Sequence, residues 1–191
     1  HVSEGAVLRF SRDPADYLPP VPTRWEGVEL MGYSPLVYAY GKTNVALTGG
    51  GTLDGQADGA HWWPWKRGEG GADQKPDRDR LFARAEAGVP VAERLCGEGC
   101  ALRPQFVQLY RCTNVLVEGV RITRSPMWVI HPVLSRNVTV RGVEVVSPGP
   151  NNDGCNPESS TDVLVEDSVF DTGDDCIAIK SGRNADGRRL A

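Results

Sequence analysis

Three carboxylates stand out in the stretch from 149 to 180, GPNNDGCNPESSTDVLVEDSVFDTGDDCIAIK: Asp153 in NNDG, and Asp174 and Asp175 in TGDD. Acids crowded together cannot all ionise freely, so one is expected to hold its proton at a pH where another has lost it. A proton donor beside a carboxylate that activates water or attacks carbon is what cleavage of a glycosidic bond requires. The same residues suit two other roles. Clustered Asp side chains bind Ca²⁺ through oxygen, and Asp is also a common turn residue with no chemistry. Spacing alone leaves all three readings open.

For these acids to meet, the fold must return to the same place about every two dozen residues. Four segments share a register that does this: TNVALTGGGT (43–52), TNVLVEGVRI (113–122), RNVTVRGVEV (136–145) and TDVLVEDSVF (161–170). Val45, Val115, Val138 and Val163 align, and two residues later so do Leu47, Val117, Val140 and Val165. Alternation of apolar and polar residues is the period of a strand with one buried face. Gly49, Gly119 and Gly142 then share the position of a bend, with Asp167 in the fourth copy. A spacing of 23 and 25 residues, without a helical pattern, fits one coil of a parallel β-helix. Rungs of such a coil lie about 4.8 Å apart. Cys155 and Cys176 are 21 residues apart, as are Asp153 and Asp174. A last coil shortened by four turn residues would therefore set Asp153 and Asp174 at equivalent positions, with Asp175 beside them.

The stretch 56–104 breaks the rhythm and reads as a long excursion from the coil, with a short helix around 78–87. Its Trp62, Trp63 and Trp65 suit either a sugar-stacking platform or a pin that fixes the loop to the barrel. Five cysteines, an odd count, do not suggest a complete disulfide framework; Cys96 and Cys100 have no second ligand pair near them, so zinc is not expected, and a loop disulfide between them stays open. Cys112, Cys155 and Cys176 read as small buried apolar residues. A net charge of −4 gives no reason to expect nucleic acid or an anionic membrane as partner. No apolar run approaches the roughly 20 residues of a membrane span. The chain opens on His1 inside a strand-like pattern, without a signal peptide, and reads as a piece of a longer protein.

NNDGCNPESS (151–160), followed one coil later by DTGDDCIAIKSGRN (171–184), resembles glycoside hydrolase family 28, the polygalacturonase family. GGGTLDGQ (49–56) and NVLVEGVRITRSPMWVIHPV (114–133) are similar to its bacterial members, and the likeness extends over roughly residues 20–184. The resemblance implies an all-β, right-handed parallel β-helix truncated at both ends, with residues 1–191 forming part of one catalytic domain. It implies hydrolysis of α-1,4-linked galacturonan with inversion, without metal or organic cofactor. By that likeness Asp174 is the general acid, Asp153 and Asp175 activate water, and Asn151 is the motif asparagine, with Asn152 where threonine is commoner. Close carboxylates would by the general rule favour retention, so here the physical rule and the resemblance disagree. The family's later Gly-His-Gly and Arg-Ile-Lys motifs do not occur before Ala191, so the piece alone is expected to be inactive and poorly soluble.

Four further residues are candidates for binding sugar. Trp128 precedes Asp153, and His131 precedes Asn156, by one 25-residue coil. Lys180 and Arg183 follow the acidic pair and could meet a uronate carboxylate. Each has a plainer reading as core wall, surface histidine or solvated charge. The expected partner is a pectin-type polysaccharide, acted on by a monomer that is secreted or periplasmic. The rivals are a Ca²⁺-dependent pectate lyase and a non-catalytic β-helix that binds sugar or mediates adhesion.

Overall fold

The computed structural model describes residues 1–190. Strand β1 (Val7–Arg9) is followed by an antiparallel hairpin, β2 (Val21–Trp25) and β3 (Val28–Gly32). The first coil is β4 (Val37–Tyr40), β5 (Thr43–Thr48) and β6 (Thr52–Asp54). The chain then leaves the coil for helix α1 (Gln74–Glu86) and the short strand β7 (Leu95–Cys96). The second coil is β8 (Val107–Tyr110), β9 (Thr113–Glu118) and β10 (Arg121–Thr123). The third is β11 (Ile130–Val133), β12 (Arg136–Arg141) and β13 (Glu144–Ser147). The fourth contributes β14 (Thr161–Glu166) and β15 (Val169–Thr172), and helix α2 (Asn184–Leu190) follows.

Three parallel sheets result from stacking the coils: β1-β6-β10-β13-β15, β4-β8-β11 and β5-β9-β12-β14, the fourth coil adding only isolated bridges to the second. This is the right-handed parallel β-helix. The aligned valines are neighbours: Val45, Val115, Val138 and Val163 form one ladder, and Leu47, Val117, Val140 and Val165 the next. Ile122 lies between Leu53 and Val145 in the adjoining sheet. These side chains fill the coil interior, where each buried Val or Ile contributes about 1.5–3 kcal/mol. The bend column has one backbone conformation throughout, since Gly49, Gly119, Gly142 and Asp167 all have left-handed φ.

A second left-handed column runs through Asn44, Asn114, Asn137 and Asp162, at the second residue of each strand. Asn tolerates this conformation because its short amide bonds locally. Asn114 Nδ2 donates to Asn44 Oδ1, and Asn137 Nδ2 to Asn114 Oδ1, both at 2.9 Å. The repeated TN, TN, RN, TD dipeptides carried this ladder in plain view.

The hairpin and the excursion cover the outer face of the β4-β8-β11 sheet. Thr23 Oγ1 donates to Gln108 Oε1 at 2.5 Å, while Gln105 and Gln108 donate to the Arg24 carbonyl. Strand β7 pairs with β3, and Trp25, Leu30, Leu81, Cys96, Met127 and Trp128 share a second core. Strands β8 and β11 are thus buried on both faces. The tryptophans are pins: Trp62 is enclosed against Tyr17 and Trp65, and Trp63 Nε1 donates to the Ser125 carbonyl at 2.9 Å. Cys96 and Cys100 form a disulfide with Cα atoms 5.3 Å apart. Cys112 and Cys155 are buried, but Cys176 is exposed, because it lies on the outermost described rung.

Ile122→Ala is expected to lower unfolding free energy by about 2–5 kcal/mol, since it empties a fully buried site between two rungs. Leu164→Ala, at a half-exposed position of β14, should stay within about 0.5 kcal/mol. Denaturant unfolding of the two variants checks the contrast.

Candidate active site

The coil register brings the acids together, though one residue away from the alignment expected above. At Ser147 and Thr172 the third and fourth coils are offset by 25 residues, and by Cys155 and Ile177 the offset is 22. The intervening turn is therefore shorter by three residues, not four. Asp153 consequently faces Asp175 across the ladder, and Asp174 faces Asn152. The Gly154 N–H donates to the Asp175 carbonyl at 2.9 Å, which fixes this pairing. Matching cysteines misled the alignment because Cys176 occupies the bend rather than the rung.

Asp153 is buried, with its side chain held from two sides. Asn156 Nδ2 donates to Asp153 Oδ2 at 3.1 Å, and Lys180 Nζ lies 3.2 Å from the same oxygen. Burial pushes the Asp153 carboxyl above the ordinary carboxylate range. Lys180 pulls it down, Asp174 pushes it up and Asn156 pulls it down, with burial dominant. Asp174 and Asp175 are exposed. Asp174 Oδ1 accepts from the Asp175 N–H at 3.0 Å, and Asn151 Nδ2 lies 3.5 Å from Asp174 Oδ2. Asp174 lies near enough for its charge to push the Asp153 carboxyl up, and Asp153 is enclosed beside a cation. Neighbouring carboxyls of which one is so enclosed can divide proton donation and water activation between them.

The turn carrying Asn151 is anchored from behind. The fully buried Arg103 donates to Asn151 Oδ1, to the Pro126 and Pro150 carbonyls, all at 2.9 Å, and to Gln74 at the start of α1. Burial pulls the Arg103 guanidinium down to about 10. Asn152 is enclosed as well: its Oδ1 accepts from Ser147 Oγ at 2.6 Å, and its Nδ2 donates to the Met127 carbonyl at 3.2 Å. Asn152 fixes the turn from inside, so an amide in place of the commoner threonine changes the scaffold and not the reacting surface.

A cleft of about 350 Å³ reaches these acids through Lys180, the partner of Asp153, and is lined also by Glu26, Gly27, Trp128, Glu158 and Arg183. Burial raises the Glu26 carboxyl, against the lowering pull of Lys66, Arg78, Arg183 and Arg103. Trp128 is buried but for one edge of the cleft, and its ring face is occupied by Lys180 Nζ, 4.3 Å from the centroid. It is a wall and a seat for Lys180, not an open stacking face. Arg183 is exposed, stacks 4.1 Å over Phe82 of α1, and its N–H donates to the Gly27 carbonyl at 3.0 Å. The hairpin tip thereby closes one side of the cleft.

His131 is not at the sugar-facing surface. It is fully enclosed, because the hairpin covers β11 on the side that would otherwise meet solvent. Gln108 donates to its Nδ1 at 3.1 Å, so its Nε2–H donates to Glu158 Oε2 at 2.8 Å. Arg24 Nε donates to the other Glu158 oxygen at 2.7 Å. Burial pushes the Glu158 carboxyl up, but the hydrogen bond from His131 and the bond and charge of Arg24 outweigh it and hold it below the ordinary range. Arg24, Arg103, Asn156 and Glu158 escaped the sequence reading. Only Asn156 and Glu158 had a signal, through their place in NNDGCNPESS.

The model of the family described as glycosyl hydrolases family 28 matches residues 91–187. A probable polygalacturonase of Vitis vinifera is 31% identical over 184 residues, covering 93% of this chain and 31% of the relative. An exopolygalacturonase of Thermotoga maritima superposes with a TM-score of 0.96 at 56% identity, over 99% of this chain and 44% of that one. A family 28 exopolygalacturonase of Yersinia enterocolitica, at 21% identity and a TM-score of 0.69 over 98% of this chain and 36% of that one, shares the fold. The chain thus spans less than half the length of each of these proteins. The family match over half the chain, on the coil that bears Asp153, Asp174 and Asp175, establishes that this protein belongs to family 28 of the glycosyl hydrolases.

Proposed function

We propose that the full-length protein hydrolyses the α-1,4 bonds of galacturonan by acid–base catalysis with inversion. The observation that carries this reading is the coil register, which sets Asp175 opposite the enclosed Asp153 and Asp174 beside Asn151. Asp174, beside Asn151, protonates the leaving glycosidic oxygen. Asp153, with Asp175 at the matching position of the next rung, takes a proton from the attacking water. No carboxylate then forms a bond to carbon, and one water enters for each bond broken. Arg183, on the cleft lining, supplies the guanidinium that meets a uronate carboxylate in this reading.

Attack at chain ends is the finer reading. It is supported by 56% identity to the Thermotoga maritima exopolygalacturonase across nearly the whole chain, and by the hairpin tip that walls the cleft at Gly27 and Arg183. A polymer substrate and a loop disulfide both favour action outside the cytoplasm, in the secreted or periplasmic space. A Ca²⁺-dependent lyase fits the geometry less well, because the Lys180 ammonium already sits on the Asp153 oxygen that a cation would use.

Incubation of the full-length protein with polygalacturonate and chelator should release reducing ends without the ultraviolet band of an unsaturated uronide, and with little early fall in viscosity. Asp174→Asn should lower kcat by about 10²–10⁴-fold through loss of the proton donor, with KM little changed. Proton NMR of the fresh product should show the β anomer first; an initial α anomer would overturn inversion.

A further inference from the structure

Lys180 is the one group that links the reacting acids to the buried charge behind them. Its ammonium has two contacts, Asp153 Oδ2 at 3.2 Å and the face of Trp128 at 4.3 Å. Trp128 is in turn set edge-on against His131, with ring centroids 5.0 Å apart. His131 is locked to Glu158, and Glu158 to Arg24. Glu158 also pairs through its backbone with Lys180 on the next rung. The side chain of Lys180 is thus seated from below and beside, and its direction is set before any substrate arrives.

We infer that Lys180 is a positioning residue: held on the Trp128 face, it acts as the internal counter-ion that keeps Asp153 ionised and aimed at water, and does not grip the carboxylate of the sugar. The inference rests on Asp153 being a base in the proposed hydrolysis. A carboxyl enclosed as Asp153 is loses its charge readily, and a cation within hydrogen-bond reach restores it. The other charged groups around Asp153 are Asp174 and Asp175 on the next rung, the His131–Glu158–Arg24 set behind Trp128, and Glu26 and Arg183 on the cleft lining. Asp174 opposes ionisation, Arg24 is turned to Glu158, and Arg183 is stacked on Phe82 and bonded to Gly27. Lys180 is the cation in contact with Asp153.

The sign of the effect follows from the role. A base must be ionised, so activity falls as pH drops through the Asp153 titration. Removing Lys180 raises that titration and moves the acidic limb of kcat/KM to higher pH. Lys180→Met keeps the apolar stem over Trp128 and deletes only the charge; Lys180→Gln serves as a second variant should the first fail to fold. In the full-length protein the limb is expected to rise by about one to three pH units, with activity recovering at higher pH. Lys180→Arg should restore most of the original profile. A rise in KM of tenfold or more on an unmoved limb would show a substrate-gripping lysine and overturn the inference, as would an unchanged profile. An infrared titration of the substrate-free protein, taken as the difference from Asp153→Asn, reads the same carboxyl without turnover. Its midpoint should rise in Lys180→Met, and an unmoved midpoint overturns the inference even if galacturonan proves not to be the substrate.

Discussion

The parallel backbone ladder between coils is the constraint on which this molecule depends. Each rung must pair with the one before it, and one residue of slip turns every side chain to the wrong face. The valine and leucine columns make that slip costly, because it would carry the filling of the coil into solvent. The ladder therefore fixes which residues are neighbours across a coil. Carboxylates that are distant in sequence become adjacent through stacking, and no long-range side-chain contact is needed to recruit them.

The register is not uniform, and the place where it changes is the site itself. The three-residue shortening between Ser147 and Cys155 on one coil, and Thr172 and Ile177 on the next, shifts the offset from 25 to 22. Turns of unequal length cannot stack as rungs do. Their backbones need outside support, which here comes from Asn152 within the turn and Arg103 behind it. Through Gln74, Arg103 also ties the turn to the start of α1. The excursion is accordingly a brace for the turn that carries Asn151 and Asp153 as well as a wall of the cleft.

Charge is layered in the same outward order. The Arg24–Glu158–His131 group is enclosed and joined through Arg24 Nε and His131 Nε2, with the two outer Arg24 nitrogens unpartnered among the described residues; Trp128 separates it from Lys180, and Lys180 meets Asp153. Buried charges are tolerated when paired and bonded. Gly182 belongs to this arrangement: its φ is left-handed, and a Cβ there would collide with the Arg24 guanidinium. The SG that follows Lys180 is thus a packing requirement of the buried arginine.

The amino-acid sequence by itself determined the coil, its bend glycines, the paired valines and the gathering of Asp153, Asp174 and Asp175 on neighbouring rungs. Those features repeat, and repetition is visible along a chain because each rung solves the same local problem of alternate burial. It left a helix near 78–87 that in fact runs from Gln74 to Glu86, and it placed Asp153 against Asp174 where Asp175 stands. Only the tertiary structure decided that His131 is enclosed, that the Trp128 face is taken by Lys180, and that Arg24 and Arg103 lie beneath the site. The reason is physical. These residues owe their surroundings to a hairpin and an excursion that pack on the coil from outside, and such packing leaves no period in the sequence to read.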